Sequence, residues 1–307
     1  MTSFVTGPVR VTVPATSANL GPGYDSLGLA LELRDTLEAE VTGTGLVVEV
    51  EGEGAGAVSL DESHLVVRSM RAAFELLGQQ PPGLRLRCRN LVPHARGLGS
   101  SSAAIVGGVV LARALVAGGE LLLDDEAAFR LTADLEGHPD NVAPAFHGGF
   151  VISGNEAAPG ERGDFWAVKA SVDPRVGAVV FIPPTGVETK VARGLLPDRV
   201  PHADAAAGAA RTALLVAALA GQPEQLHRAT RDYLHQEYRR PAMPDSLALV
   251  DALRGDGVAA VVSGAGPTVL AFTDGDGSAH THQLVARCPD RWVARHLAVS
   301  LDGARVE

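Results

Sequence analysis

Residues 84–106 constrain the fold of this chain more than any other stretch. Leu84-Arg85-Leu86-Arg87-Cys88 alternates apolar and polar residues, as a half-buried strand does. A glycine- and serine-rich turn follows, Pro93-His94-Ala95-Arg96-Gly97-Leu98-Gly99-Ser100-Ser101-Ser102-Ala103, and an apolar run opens at Ala103-Ala104-Ile105-Val106. Strand, flexible turn and helix in that order put three hydroxyls beside the free N–H groups of a helix N-terminus, where the helix dipole favours an anion. Gly97 and Gly99 allow positive φ and close backbone approach. The stretch reads as a nucleotide phosphate site, although a plain turn with an N-cap draws on the same residue types. No Gly-Lys-Ser/Thr of a Walker A loop occurs, and the chain has only two lysines, Lys169 and Lys190. Phosphate charge would have to be met by backbone amides, a metal ion and arginine.

Two further loops have the same character. Val9-Arg10-Val11-Thr12-Val13 alternates as a strand that Pro14 is expected to stop, and residues 15–26 form a tight loop presenting Asn19 and Asp25. Val261-Val262-Ser263-Gly264-Ala265-Gly266-Pro267-Thr268-Val269-Leu270 is again strand, glycine-rich turn and strand. Three such loops suggest several backbones converging on one polyanionic ligand.

The ordered trio Pro-Ala-Thr-Ser-Ala-Asn-Leu-Gly-Pro-Gly (14–23), Gly-Leu-Gly-Ser-Ser (97–101) and Ser-Gly-Ala-Gly-Pro-Thr (263–268) resembles the motifs of the GHMP kinases. Glu136-Gly137-His138-Pro139-Asp140-Asn141 is similar to the run found in many bacterial homoserine kinases, and the motifs together span essentially the whole chain. The resemblance implies an α+β, two-domain GHMP kinase fold. Its N-terminal ATP-binding domain (1–155) would be like domain 2 of ribosomal protein S5, and its C-terminal domain (165–307) ferredoxin-like. It implies ATP-dependent phosphorylation of the side-chain hydroxyl of L-homoserine, a step of threonine biosynthesis, with Mg²⁺ as the metal.

Residue by residue, the resemblance places ATP on 93–103 and Mg²⁺ on Ser101 and Glu136. It places the acceptor's carboxylate on Arg193 and Arg239, and its ammonium near Asp25 and Asn19, with His138 and Gly264 also at the acceptor. A planar guanidinium fork suits a carboxylate, and an acid with an amide suits an ammonium. Asn141 stands where many superfamily members carry Asp. An amide can orient the acceptor hydroxyl but cannot take its proton, so proton loss to a phosphate oxygen or water is preferred, with Asp140 as the alternative base. Thr189 would donate its hydroxyl to the transferring phosphoryl group. His64-Leu65-Val66 replaces the Asn-Leu-Val common in homoserine kinases, which puts the purine contact at His64 in doubt. The rival readings are a GHMP kinase with another acceptor and a sensor that binds without transfer.

Composition sets the outer bounds. At 307 residues, 46% of them hydrophobic, the chain can build two globular units. A net charge of −10 argues against a nucleic-acid partner, and the apolar stretches 103–111 and 212–221 are too short for a membrane span. Cys88 and Cys288 offer neither a disulfide framework nor a zinc site, which points to the cytoplasm. No motif encodes the oligomeric state, and a homodimer is one option. Helical periodicity covers 65–77 and 126–135, with helices expected near 203–220, 223–233, 245–254 and 279–287. Strands are expected at 166–172 and 177–182 and as a pair within 258–272. Residues 154–160 are the candidate linker, 52–56 a loop rather than a dinucleotide fingerprint, and His280 and His282 lack a third metal ligand.

Overall fold

The structure, a computed structural model, describes residues 3–157, 163–273 and 279–307. In the first layer β1 (Val9–Ala18), β2 (Leu27–Thr42), β3 (Gly45–Gly52), β4 (Gly83–Asn90), β5 (Phe150–Asn155), β6 (Phe165–Ala170) and β11 (Arg305–Val306) form a seven-stranded sheet. Its order is β11-β1-β2-β4-β3, and β5 pairs with the start of β2 and with β6. Only β3 and β4 run parallel. The apolar rows of these strands meet α1 (Leu65–Leu76), α2 (Ser100–Leu115), α4 (Asp125–Glu136) and α5 (Pro139–His147), while α3 (Gly119–Leu122) is one turn. Val11, Val13 and Leu37 of the sheet pack with Val106 and Val109 of α2.

The second sheet contains β7 (Gly177–Ile182), β8 (Ala260–Val262), β9 (Val269–Thr273) and β10 (Val293–Ala298), all antiparallel in the order β10-β7-β9-β8. With α6 (Thr189–Gly194), α7 (His202–Gly221), α8 (Leu226–Ala229) and α9 (Pro244–Gly255) between β7 and β8, and α10 (Ala279–Val285) between β9 and β10, this is the split βαβ, ferredoxin-like arrangement. A core of Leu29, Leu31 and Leu98 with Val180, Leu215 and Val261 joins the two units, so the loops that connect their strands meet at one seam.

Several details differ from the sequence reading. Pro14 does not end β1: pairing with β2 continues to Ala18 across a register shift at Pro14/Ala15, a bulge that accommodates the missing N–H. Residues 154–160 are not the linker. β5 and β6 pair as a hairpin from Phe150↔Ala170 to Asn155↔Phe165, so the first sheet extends to Ala170 and the crossing to the second follows it. Residues 158–160 of that stretch lie outside the described residues. β11 returns the C-terminus to the first sheet, so the division at 155/165 matches neither sheet's membership. The expected helix at 223–233 is a 3₁₀ turn and one α-turn, ending where Asp232 accepts the N–H groups of Leu234, His235 and Gln236. α7 runs back through the alanines to His202 and is, by length and composition, long and apolar enough to cross a membrane, unlike the shorter run read from sequence. Its Leu215, Ala218 and Leu219 pack into the core at the seam.

Candidate active site

The glycine-rich loop at 97–99 is held by contacts from both units. Gly99 caps α2 at φ 72°, and a Cβ there would collide with Thr16 Oγ1. Gly97, at φ 75°, has no room for a Cβ beside the Ser263 carbonyl. The Ser263 hydroxyl bridges the Gly97 carbonyl (2.6 Å) and Ser17 Oγ (2.8 Å), while the Gly264 N–H donates to the Ala18 carbonyl (3.1 Å). All three glycine-rich loops therefore meet at the N-terminus of α2, whose first N–H groups have no intrahelical partner. Arg96 turns away, donating to the carbonyls of His94, Pro183 and Pro184.

Two cavities flank this terminus and share Ser100 and Ser101. The smaller, about 100 Å³, is walled by Asn19, residues 95–97 and 99–102, Glu136, His138, Asp140, Asn141, Thr189, Arg193, Arg239 and Gly264. The larger, about 420 Å³, contains Asp35, His64, Asn90 and His94. Pro93, Leu98 and Ala103 line neither: Leu98 and Ala103 are buried in the two cores, where their apolar side chains belong.

The helix–turn–helix formed by α4 and α5 delivers the acids. Gly137 (φ 88°) ends α4, and Pro139 starts α5. Glu136 thus sits at a helix C-terminus, where the dipole opposes a negative charge. Its carboxylate accepts from Ser101 Oγ (3.0 Å) and Ser102 Oγ (3.1 Å). One carboxylate and two hydroxyls fit a hard, oxygen-seeking cation that takes its remaining ligands from phosphate and water. Among the described residues no cluster of three or more His, Cys, Asp or Glu could hold a metal unaided.

Asp140 is buried and accepts from His138 Nδ1 (2.7 Å). Burial pulls the His138 pKa down, but the hydrogen bond and charge of Asp140 outweigh it and leave the imidazole above its usual value. Thr16 Oγ1 donates to Asn141 Oδ1 (2.9 Å), which turns the amide nitrogen toward Asp140 at 3.4 Å and leaves it an N–H for the cavity.

The two arginines differ sharply. Arg193 forms a bidentate pair with Asp25, Nη2–Oδ1 2.7 Å and Nη1–Oδ2 3.1 Å, and also donates to Tyr24 Oη (2.9 Å). Burial works against its charge, but Asp25 outweighs burial and raises its pKa. The sequence reading gives Arg193 to the acceptor carboxylate and Asp25, with Asn19, to its ammonium; in the structure the two charges are matched to one another. Asn19 is similarly engaged, donating to the Gly264 carbonyl (2.9 Å) and accepting from the Asp25 N–H (2.9 Å).

Arg239 is 1% exposed, and no carboxylate among the described residues lies within ion-pair distance. Its Nη1 meets the Gly264 carbonyl (3.0 Å) and His235 Nδ1 (3.1 Å), while Nε is buried without a partner. Burial lowers both its pKa and that of His235, whose Nε2 donates to the Gly21 carbonyl (2.7 Å). A buried, uncompensated guanidinium at a cavity wall is costly unless an anion joins it.

Two family models match, the GHMP kinases N terminal domain over residues 64–149 and the GHMP kinases C terminal domain over 214–288. A protein named homoserine kinase from Streptomyces coelicolor is 52% identical over 304 residues, covering 99% of this chain and 96% of its own length. The chain belongs to the GHMP kinases. A protein named homoserine kinase from Clavibacter michiganensis is 47% identical, covering 97% of this chain and 94% of its own. The crystal structure of homoserine kinase from Cytophaga hutchinsonii superposes with a TM-score of 0.81 at 25% identity, covering 98% of this chain and 97% of its own. A crystal structure of L. major mevalonate kinase, at 15% identity and TM-score 0.73, covering 97% of this chain and 98% of its own, shares the fold.

Sequence reasoning about this GHMP kinase overlooked Tyr24, Thr16 and His235. The Tyr24 ring lies 5.7 Å from both the Arg193 and the Arg239 guanidinium carbons and 5.3 Å from the His235 ring, so one aromatic holds both arginines. The available signals were an aromatic inside the 14–26 loop and a histidine four residues before Arg239. It also overlooked Asp35, whose carboxyl burial pushes up to about 6 from 3.8 despite hydrogen bonds from the Leu91 and Val92 N–H groups. A raised folded-state pKa means that protonation favours the fold, so stability falls as pH rises from about 4 through 6. Asp35→Asn, which keeps an acceptor and removes the charge, is expected to stabilise the protein by about 2–3 kcal/mol at pH 7.5 and far less at pH 4.5. Thermal melts at the two pH values check this.

Proposed function

We propose that this GHMP kinase transfers the γ-phosphoryl group of ATP to the side-chain hydroxyl of L-homoserine, giving O-phospho-L-homoserine for threonine biosynthesis. The observation that carries the reading is Arg239, a buried guanidinium without a carboxylate partner among the described residues, on the wall that also holds the N-terminus of α2. A nucleotide accounts for the helix terminus, and an acceptor that is itself anionic accounts for Arg239. The relatives' names support the choice of acceptor.

The base and ribose occupy the larger cavity, and the phosphates pass Ser100 and Ser101 into the smaller one. The free N–H groups of α2 hold phosphate oxygens. Glu136 and Ser101 would hold Mg²⁺, which would neutralise charge on the phosphates when bound. Arg239 takes the acceptor carboxylate. The Arg193–Asp25 pair presents a cation and an anion side by side, a charge pattern complementary to a zwitterion, and Asp25 faces the ammonium while Arg193 adds to the carboxylate. Asn141, oriented by Thr16, donates to the acceptor hydroxyl and cannot remove its proton, so the proton leaves with a phosphate oxygen or water. His138 and Asp140 fix the turn that aims Asn141, and Thr189 donates to the moving phosphoryl group. Free Cys88 and Cys288 accord with a cytoplasmic enzyme.

ADP release measured with L-homoserine, mevalonate and shikimate tests the reading. Turnover is expected with homoserine alone; a robust rate with mevalonate and none with homoserine would overturn it.

A further inference from the structure

The larger cavity carries polar groups that phosphoryl transfer does not use. Asp35 lies on β2 in the inward row Leu33, Asp35, Leu37, Ala39, at 5% exposure, and it lines the cavity together with Leu37. A carboxylate in an apolar row is disfavoured unless every oxygen finds a donor. Oδ1 has two, the N–H groups of Leu91 (2.6 Å) and Val92 (2.8 Å); Oδ2 has none among the described residues. Another wall of the same cavity holds His64, 6% exposed, with Nδ1 buried and unpartnered. Two buried polar side chains line one 420 Å³ space, one with an orphaned ring nitrogen and the other with a carboxylate oxygen that meets no donor among the described residues, and they mark a built site for a ligand that carries both donors and acceptors.

We infer that Asp35 selects the nucleotide base: its free oxygen accepts a hydrogen bond from the exocyclic 6-amino group of adenine, and His64 Nδ1 meets a neighbouring ring nitrogen. Guanine and hypoxanthine carry a carbonyl oxygen where adenine has the amino group, and a carboxylate facing that oxygen repels it. This inference rests on the reading of the chain as a nucleotide-dependent kinase and adds to it which base is chosen and by which side chain. Anchoring the 91–92 turn needs only one acceptor oxygen, which Asn supplies as well as Asp, so the two roles of Asp35 are separable.

Equilibrium binding of ADP and IDP, which differ at the 6-position and N1, tests it without any turnover. Wild-type protein is expected to bind ADP at least tenfold more tightly than IDP. In Asp35→Asn the side-chain amide can donate to the 6-oxo group, and the ADP:IDP preference is expected to fall at least tenfold. Purine riboside 5′-diphosphate, which lacks the 6-amino group, gives a second reading on the wild-type protein and is expected to bind at least tenfold more weakly than ADP. Equal binding of these nucleotides by the wild type, or an unchanged ADP:IDP ratio in folded D35N, would overturn the inference and leave the kinase reading standing. Failure to bind any of them would overturn both.

Discussion

Arg239→Met is expected to reduce kcat/KM for the acceptor about 100-fold or more, while ADP affinity stays within about threefold and the melting temperature does not fall. The three parts have one cause. Arg239 is buried with no carboxylate partner among the described residues, so removing the charge relieves a desolvation cost rather than breaking an ion pair. Methionine has an unbranched apolar chain that fills much the same space beside Tyr24. In the complex the loss is different, because an acceptor carboxylate then enters a dry pocket with no cation, and a charge-assisted bond of this kind is worth about 1.5–3 kcal/mol before the unpaired charge is counted. Arg193→Met should cost less at the acceptor, since its side chain remains 34% exposed and its change also strands Asp25. Steady-state kinetics, ADP titration and melts on the same preparations decide the matter. A melting temperature several degrees lower, or equal damage to nucleotide binding, would make Arg239 a structural residue.

What could be read from the sequence follows from the range over which each signal acts. The helix at 100–115 and its glycine cap were legible because strand, turn and apolar run are local. The break between Glu136 and Pro139 was legible because Gly137 and Pro139 leave a chain few options. The order β10-β7-β9-β8 came within reach once paired strands were seen to alternate with helices. Long-range pairing was not legible. Asp25 and Arg193 are 168 positions apart, and nothing local says that they neutralise each other. The 154–160 stretch has the composition of a linker, and only the pairing from Phe150 with Ala170 to Asn155 with Phe165 shows that the first sheet continues beyond it. Asp35 did leave a trace, an acid where the alternation Leu33, Leu37, Ala39 calls for an apolar residue. Charged residues that interrupt a core-facing row merit the scrutiny usually given to glycine-rich loops.

Glu136→Gln and Asp140→Asn should separate the two acids of the α4–α5 turn. Each lies within five residues of the other, and each accepts a side-chain hydrogen bond, so proximity and bonding do not rank them. Their surroundings do. Glu136 stands at the C-terminal end of α4, with no basic residue in the last turn, and its partners are hydroxyls in the first turn of α2. An anion in that field is stabilised by a bound cation, so its loss should lower turnover by about 10²–10³-fold and raise the Mg²⁺ concentration needed for half-maximal rate at least tenfold. Asp140 is buried with Oδ1 already committed to His138, and Asn can still accept that bond. Turnover in Asp140→Asn is therefore expected to stay within about tenfold, because a working general base supplies about 10²–10⁴-fold. The His138 pKa should also drop, since Asp140 is what raises it, and an NMR titration of the imidazole would show the exchange was made in a folded protein. A loss of a thousandfold or more at Asp140, with the Mg²⁺ requirement and the melting temperature unchanged, would mean that this carboxylate takes the proton from the acceptor and that Asn141 only serves it.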